Sequence, residues 1–200
     1  MLDDGYTVDE DGNIKRVNDE GGSEYDVLYH ASTYSEENKK NYDDTGDRTG
    51  IKIGNDIIKS KKSTKITTKN GDGDLKKEVT NDRYDVKTDE EATKIFEFIE
   101  KKTNVEWAHL YLRHPQKPSR NILMTSHERT RVEATYIQNY YFSVGKYYLI
   151  RHDHTHPDTH TPSGLKDNSS DMGAKKDILS RPENKNAVFR ILFKGKYKEY

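Results

Sequence analysis

Residues 88–112 constrain the fold more than any other stretch of the chain. Thr88 and Glu91 form a capping box, and Ala92, Ile95, Phe96 and Ile99 recur at helical spacing, which predicts a helix over about 89–102. Directly after it, Val105-Glu106-Trp107-Ala108-His109-Leu110-Tyr111-Leu112 is β-branched, aromatic and leucine-rich with no helix punctuation. That is the pattern of a strand buried on both faces. Such a strand needs a covering layer on each side, so the economical assembly is an α/β sheet flanked by helices. Further strands are expected at Ile122–Thr125, Thr135–Tyr141, Lys146–Ile150 and Ala187–Phe193, with Lys194-Gly195 turning into a short last strand. Asp171–Leu179 reads as a second helix. Earlier, Ile51, Ile53, Ile57, Ile58 and Ile66 are compatible with two strands before a turn at Asn70–Asp74.

Composition divides the chain. Only 30% of the 200 residues are apolar and 34% are charged, so part of the sequence contributes little to a core. Residues 1–50 carry about fourteen acidic against five basic side chains, which leaves the remainder at about +8. This front segment holds β-like islands at Tyr6–Val8 and Tyr25–Tyr29, with turns at Asp11–Asn13 and Glu20–Gly22. It reads as an acidic linker or a small clip of hairpins, ahead of a domain over 51–200. No apolar run reaches the roughly 18 residues of a membrane span, and the acidic start Met1-Leu2-Asp3-Asp4 is unlike a signal peptide. We therefore expect no membrane partner and no general export signal.

The chain has no cysteine, which excludes thiolate metal sites, thiol nucleophiles and disulfides. A metal would have to be held by His and carboxylates. His152, His154, His156 and His160 fall within nine residues, directly after an apolar strand. Residues two apart on an extended chain point to the same side, so His154 and His156 can offer both imidazoles to one cation. A catalytic zinc typically takes three protein ligands and keeps a position open. The third is expected from Asp171, which opens the second helix, or Asp167 in the loop before it. His152 and His160 are expected to be neighbours of the site, and His109, His114 and His127 structural or surface residues.

His154-Thr155-His156-Pro157 resembles the His-x-His-Pro segment of JAMM (JAB/MPN) metallopeptidases, and Thr161-Pro162-Ser163 is similar to the Pro-Ser that precedes the aspartate in bacterial members. The family's Ser-x-x-Asp spacing is broken, as if the loop carried an insertion; Asp171 is favoured as third ligand because a helix begins there, with Asp167 as alternate. The resemblance spans roughly 88–193. It implies a JAB/MPN-like mixed β-sheet flanked by helices, behind an acidic N-terminal extension, and a Zn²⁺-dependent peptidase or isopeptidase. It also implies a glutamate that activates water, for which Glu106 has the right place, and an assisting serine, drawn from Ser163, Ser169 or Ser170.

The stretches Gly5–Ile14 and Gly21–Tyr29 resemble the junction before C-terminal toxin modules in Rhs-type polymorphic toxins of Bacteroidetes. That resemblance implies an interbacterial effector that acts in a recipient cell, is delivered by a specialised secretion system such as type VI, and is neutralised by a cognate immunity protein. Its partner would be a protein or peptide substrate. The alternatives are a metal-dependent nuclease toxin and a non-catalytic JAB-like binding module. The basic remainder mildly supports the nuclease, but only Arg151 and Lys166 lie near the histidines, so nucleic acid is not the expected partner. The glutamate at 106 argues against mere binding, and the missing cysteines exclude a zinc deaminase's ligands.

Overall fold

A computed structural model describes residues 5–18, 24–35, 42–43, 49–69, 76–132, 134–164 and 170–200. The first sheet takes the chain up to position 54: β1 (Gly5–Val8), β2 (Ile14–Asn18), β3 (Tyr25–His30), β4 (Tyr42–Asp43) and β5 (Gly50–Gly54), in the order β2-β1-β3-β5-β4. Both islands of the acidic segment are thus strands, and they pair with each other in parallel. The turn proposed at Glu20–Gly22 lies outside the described residues, as do Asn70–Asp74.

The second sheet contains β6 (Ile58–Lys69), β7 (Lys76–Val86), β8 (Trp107–Arg113), β9 (Arg120–Thr125), β10 (Tyr148–Thr155), β11 (Val188–Phe193) and β12 (Lys196–Glu199). Its order is β12-β11-β10-β8-β9-β7-β6, antiparallel except for the parallel β10–β11 pair. Among the described residues three α-helices complete the fold, α1 (Asp89–Lys102), α2 (Ala134–Ser143) and α3 (Ser170–Leu179). This is the mixed α/β arrangement the sequence predicts. Among the described residues no helix is long and apolar enough to cross a membrane.

The Thr88 hydroxyl accepts the Glu91 N–H at 3.2 Å and starts α1 as its capping box requires. The apolar side of α1, Ala92, Ile95, Phe96 and Ile99, is fully buried in one core, with Val8, Leu28, Ile51 and Ile53 of the first sheet and Trp107 and Leu123 of the second. The helix is therefore the shared layer between two sheets. A second core forms on the opposite face of the large sheet from Ala108, Leu110, Ile122, Met124, Leu149 and Phe189, covered by Tyr141 and Phe142 of α2 and Ile178 of α3. Alternation along β8 sends Trp107 to one core and Ala108 to the other, as a two-faced buried strand must.

Thr135–Tyr141 is helical, not a strand. Its aromatic and β-branched content suits a strand, but among the side chains described the buried ones are Ala134, Gln138, Tyr141 and Phe142, spaced by four, three and one. That is a helical period, and packing against the sheet outweighs composition.

Candidate metal centre

A bulge in β10 between Leu149 and Arg151 decides which way its histidines point. Beyond it, Arg151 and Asp153 face α1, while His152 and His154 join the face on which Leu149 meets Phe189. Bulges re-aim side chains in this way. His156 follows one residue past the strand, its N–H donating to the Leu192 carbonyl at 3.3 Å.

His154 Nε2 and His156 Nε2 are 3.0 Å apart. Asp171, in the first turn of α3, brings Oδ2 to 3.5 Å from the first and 3.3 Å from the second. One ligand atom from each residue lies within 4.8 Å of the others, and both histidines are buried. Two imidazoles and one carboxylate, convergent and shielded from water, are the donor set of a three-ligand zinc site. His154 Nδ1 is buried without a protein partner. The residues present fit a divalent cation.

Asp171 is held by Ser163: the Ser163 N–H donates to Asp171 Oδ2 at 2.7 Å, and Ser163 Oγ accepts the Asp171 N–H at 3.2 Å. A serine eight residues before the aspartate thus pins the first turn of α3. Ser170 begins α3 at φ 46°, while Asp167 and Ser169 lie outside the described residues. His152 stacks behind His154, ring centroids 5.4 Å apart, with its Nδ1 facing the Gln138 amide. His160 is not part of the group, packing on Phe193 and facing the Lys196 carbonyl. His109 is fully buried, His114 packs on Tyr147, and His127 Nδ1 meets the Asp11 carbonyl at 2.7 Å.

Glu106 immediately precedes β8, and its Oε1 lies 3.7 Å from His156 Nε2. Its backbone is tied on both sides. The Glu106 N–H donates to the Glu128 carbonyl at 2.8 Å, its own carbonyl accepts the Thr125 hydroxyl at 2.8 Å, and the Trp107 N–H donates to Thr155 Oγ1 at 2.9 Å. These two buried threonines escaped the sequence reading. Alternation offered a clue for Thr155, which sits between two same-side histidines and must face the other way.

Burial pushes the Glu106 carboxyl up to about 8, with nearby Asp171 adding to the rise and His156 opposing it. Burial also acts on His156 and Asp171, but their mutual attraction prevails, so His156 is raised and Asp171 held well below the usual carboxylate range. Burial drives His152 down to about 3, which keeps it neutral. The Tyr200 ring stands edge-on to His154 at 5.7 Å, and the Lys175 ammonium donates to the Tyr200 carbonyl.

Residues 84–176 match the family model described as JAB-like toxin 1. The matched segment covers just under half of the chain and includes Glu106, His154, His156, Ser163 and Asp171. It supports a JAB-like toxin domain. No curated protein and no solved structure matches the chain.

Proposed function

We propose that this chain is a toxin module that hydrolyses an amide bond as a zinc-dependent peptidase or isopeptidase of the JAMM type, with His154, His156 and Asp171 as ligands and Glu106 as general base. The observation that carries the reading is the approach of a buried carboxylate, Glu106, to within 3.7 Å of His156 in the His-His-Asp group. A zinc ion held there would supply Lewis-acid chemistry, polarising the scissile carbonyl and making water acidic. Glu106 Oε1 takes the proton of the attacking water and returns it to the leaving nitrogen. The threonine ties on the 106–107 peptide fix where that carboxylate stands. Ser163 orients Asp171 through the two bonds described above, which makes it a positioning residue. The module is delivered into a target cell through a specialised secretion system, and a producing cell carries an immunity protein against it.

The test is expression of wild type and Glu106→Gln in a bacterium without an immunity gene, with growth and bound zinc followed for both. A folded, zinc-loaded Glu106→Gln protein should lose about 10²–10⁴ in rate and cease to be toxic. Undiminished toxicity of that variant would remove Glu106 from the chemistry and the peptidase reading with it.

A further inference from the structure

Where β10 and β11 run out side by side, their C-terminal ends and the last turn of α1 enclose a cleft of about 370 Å³. The outer end of parallel strands is where α/β sheets leave room for ligands. His156 forms part of its wall, which places the cleft beside the candidate metal centre. Among the described lining residues are the cations Lys101, Arg129 and Lys194 and the carboxylate of Glu100. That carboxylate is already occupied on one side, its Oε1 accepting the Lys194 N–H at 2.7 Å. Lys101 belongs to the last turn of α1, where a cation offsets the negative pole of the helix. Arg129 reaches Asp158 at 2.7 Å, but both side chains are more than half exposed, 55% and 64%. A pair so exposed to water is weak and exchangeable, and a guanidinium accepts a second carboxylate in a bidentate fork. None of these cations has a part in the hydrolysis described above.

We infer that this cleft is a substrate subsite for an acidic side chain, so that the protein acts on peptide segments carrying Asp or Glu beside the bond to be cleaved. The inference rests on the peptidase reading and names its substrate class. A phosphate backbone would also meet the cations. The small volume and the carboxylate in the wall suit one side chain better than a repeating polyanion.

The experiment is affinity selection of a random peptide library on the full-length, zinc-loaded Glu106→Gln protein. It is compared with the same protein carrying Lys101→Glu, Arg129→Glu and Lys194→Glu, and with Arg129→Gln alone as a milder change at an exposed position. Asp or Glu should be enriched roughly tenfold at one position, weakened by Arg129→Gln and replaced by Lys or Arg in the reversed protein. Absence of acidic enrichment, or enrichment unaltered by charge reversal, overturns the subsite while leaving zinc content and toxicity as independent evidence for the metal centre. Acidic peptides that bind but are not cleaved by wild type leave the subsite standing and count against hydrolysis. A short single-stranded DNA that displaces the peptides and depends on the same three cations would reassign the cleft to nucleic acid and overturn the inference.

Discussion

Strand β10 carries ionisable side chains on both faces, and the two faces satisfy them differently. Toward α1, Asp153 is fully buried and receives the Arg190 guanidinium through two bonds of 2.7 and 2.8 Å and Arg151 through one of 2.8 Å. Arg151 continues to Asp89 at the start of α1, at 2.6 and 3.0 Å. Burial alone would raise Asp153, yet the two guanidinium groups hold it below its ordinary value. His109 beside it is pushed down to about 4 by burial and stays neutral. Charge there is matched and closed. On the opposite face, His154, His156, Asp171 and Glu106 crowd together, and burial raises Glu106 to about 8. A closed network locks α1 to the sheet, whereas an unbalanced one leaves room for a cation.

The largest effect should come from breaking the closed face. Asp153→Ala leaves Arg151 and Arg190 without their buried partner and should cost about 3–5 kcal/mol in urea denaturation. A loss below about 1 kcal/mol would show that the two faces do not differ as argued. The open face should reveal itself through pH in protein stripped of divalent ions. Because the Glu106 pKa is raised in the fold, the folded state holds a proton that the unfolded state has released. Stability should therefore fall as pH rises from about 4.5 to about 8, by a few kcal/mol at most, and Glu106→Gln should flatten that fall. His156, also raised, loses its contribution in the same direction as pH climbs through its folded pKa. Asp171 has the opposite sign, its contribution being lost as pH drops into the acid range. An identical pH profile for the stripped Glu106→Gln protein would mean that the carboxylate is not strained by burial. The smallest effect is expected at the seam between the faces. Thr155→Val deprives the buried Trp107 N–H of its acceptor and should cost about 1–3 kcal/mol, with Thr155→Ser restoring most of it.

The open face was largely legible in the sequence because its information is local. His154 and His156 lie two apart at the end of one strand, and Asp171 falls in the first turn of the next helix. Glu106 was singled out by the family resemblance, not by local pattern. The closed face was not legible, since Asp153 meets Arg190 only through the β10–β11 register, which pairs those two positions across 37 residues. The acidic front segment reads as a loose clip because its apolar residues are few. Val8, Leu28, Ile51 and Ile53 acquire a core only against α1 and Trp107, and the β1–β3 pairing has no local signature. In α2, strand-like composition concealed a helical burial period.

The turn between β1 and β2 joins these regions. Gly12 sits there at φ +78°, and a Cβ on it would come within 2.8 Å of Val105 and 3.2 Å of Trp107. Its neighbours Glu10 and Asp11 accept from Asn104 and His127. The residues on either side of Glu106 are thus clamped by a segment that precedes them by some ninety positions, outside the stretch matched by the family model. A transplant of residues 84–176 into another carrier would bring His154, His156, Asp171 and Glu106 but leave behind the wedge that holds the Glu106 peptide in place. The smallest portable unit of this centre is therefore discontinuous, and it begins at the front turn.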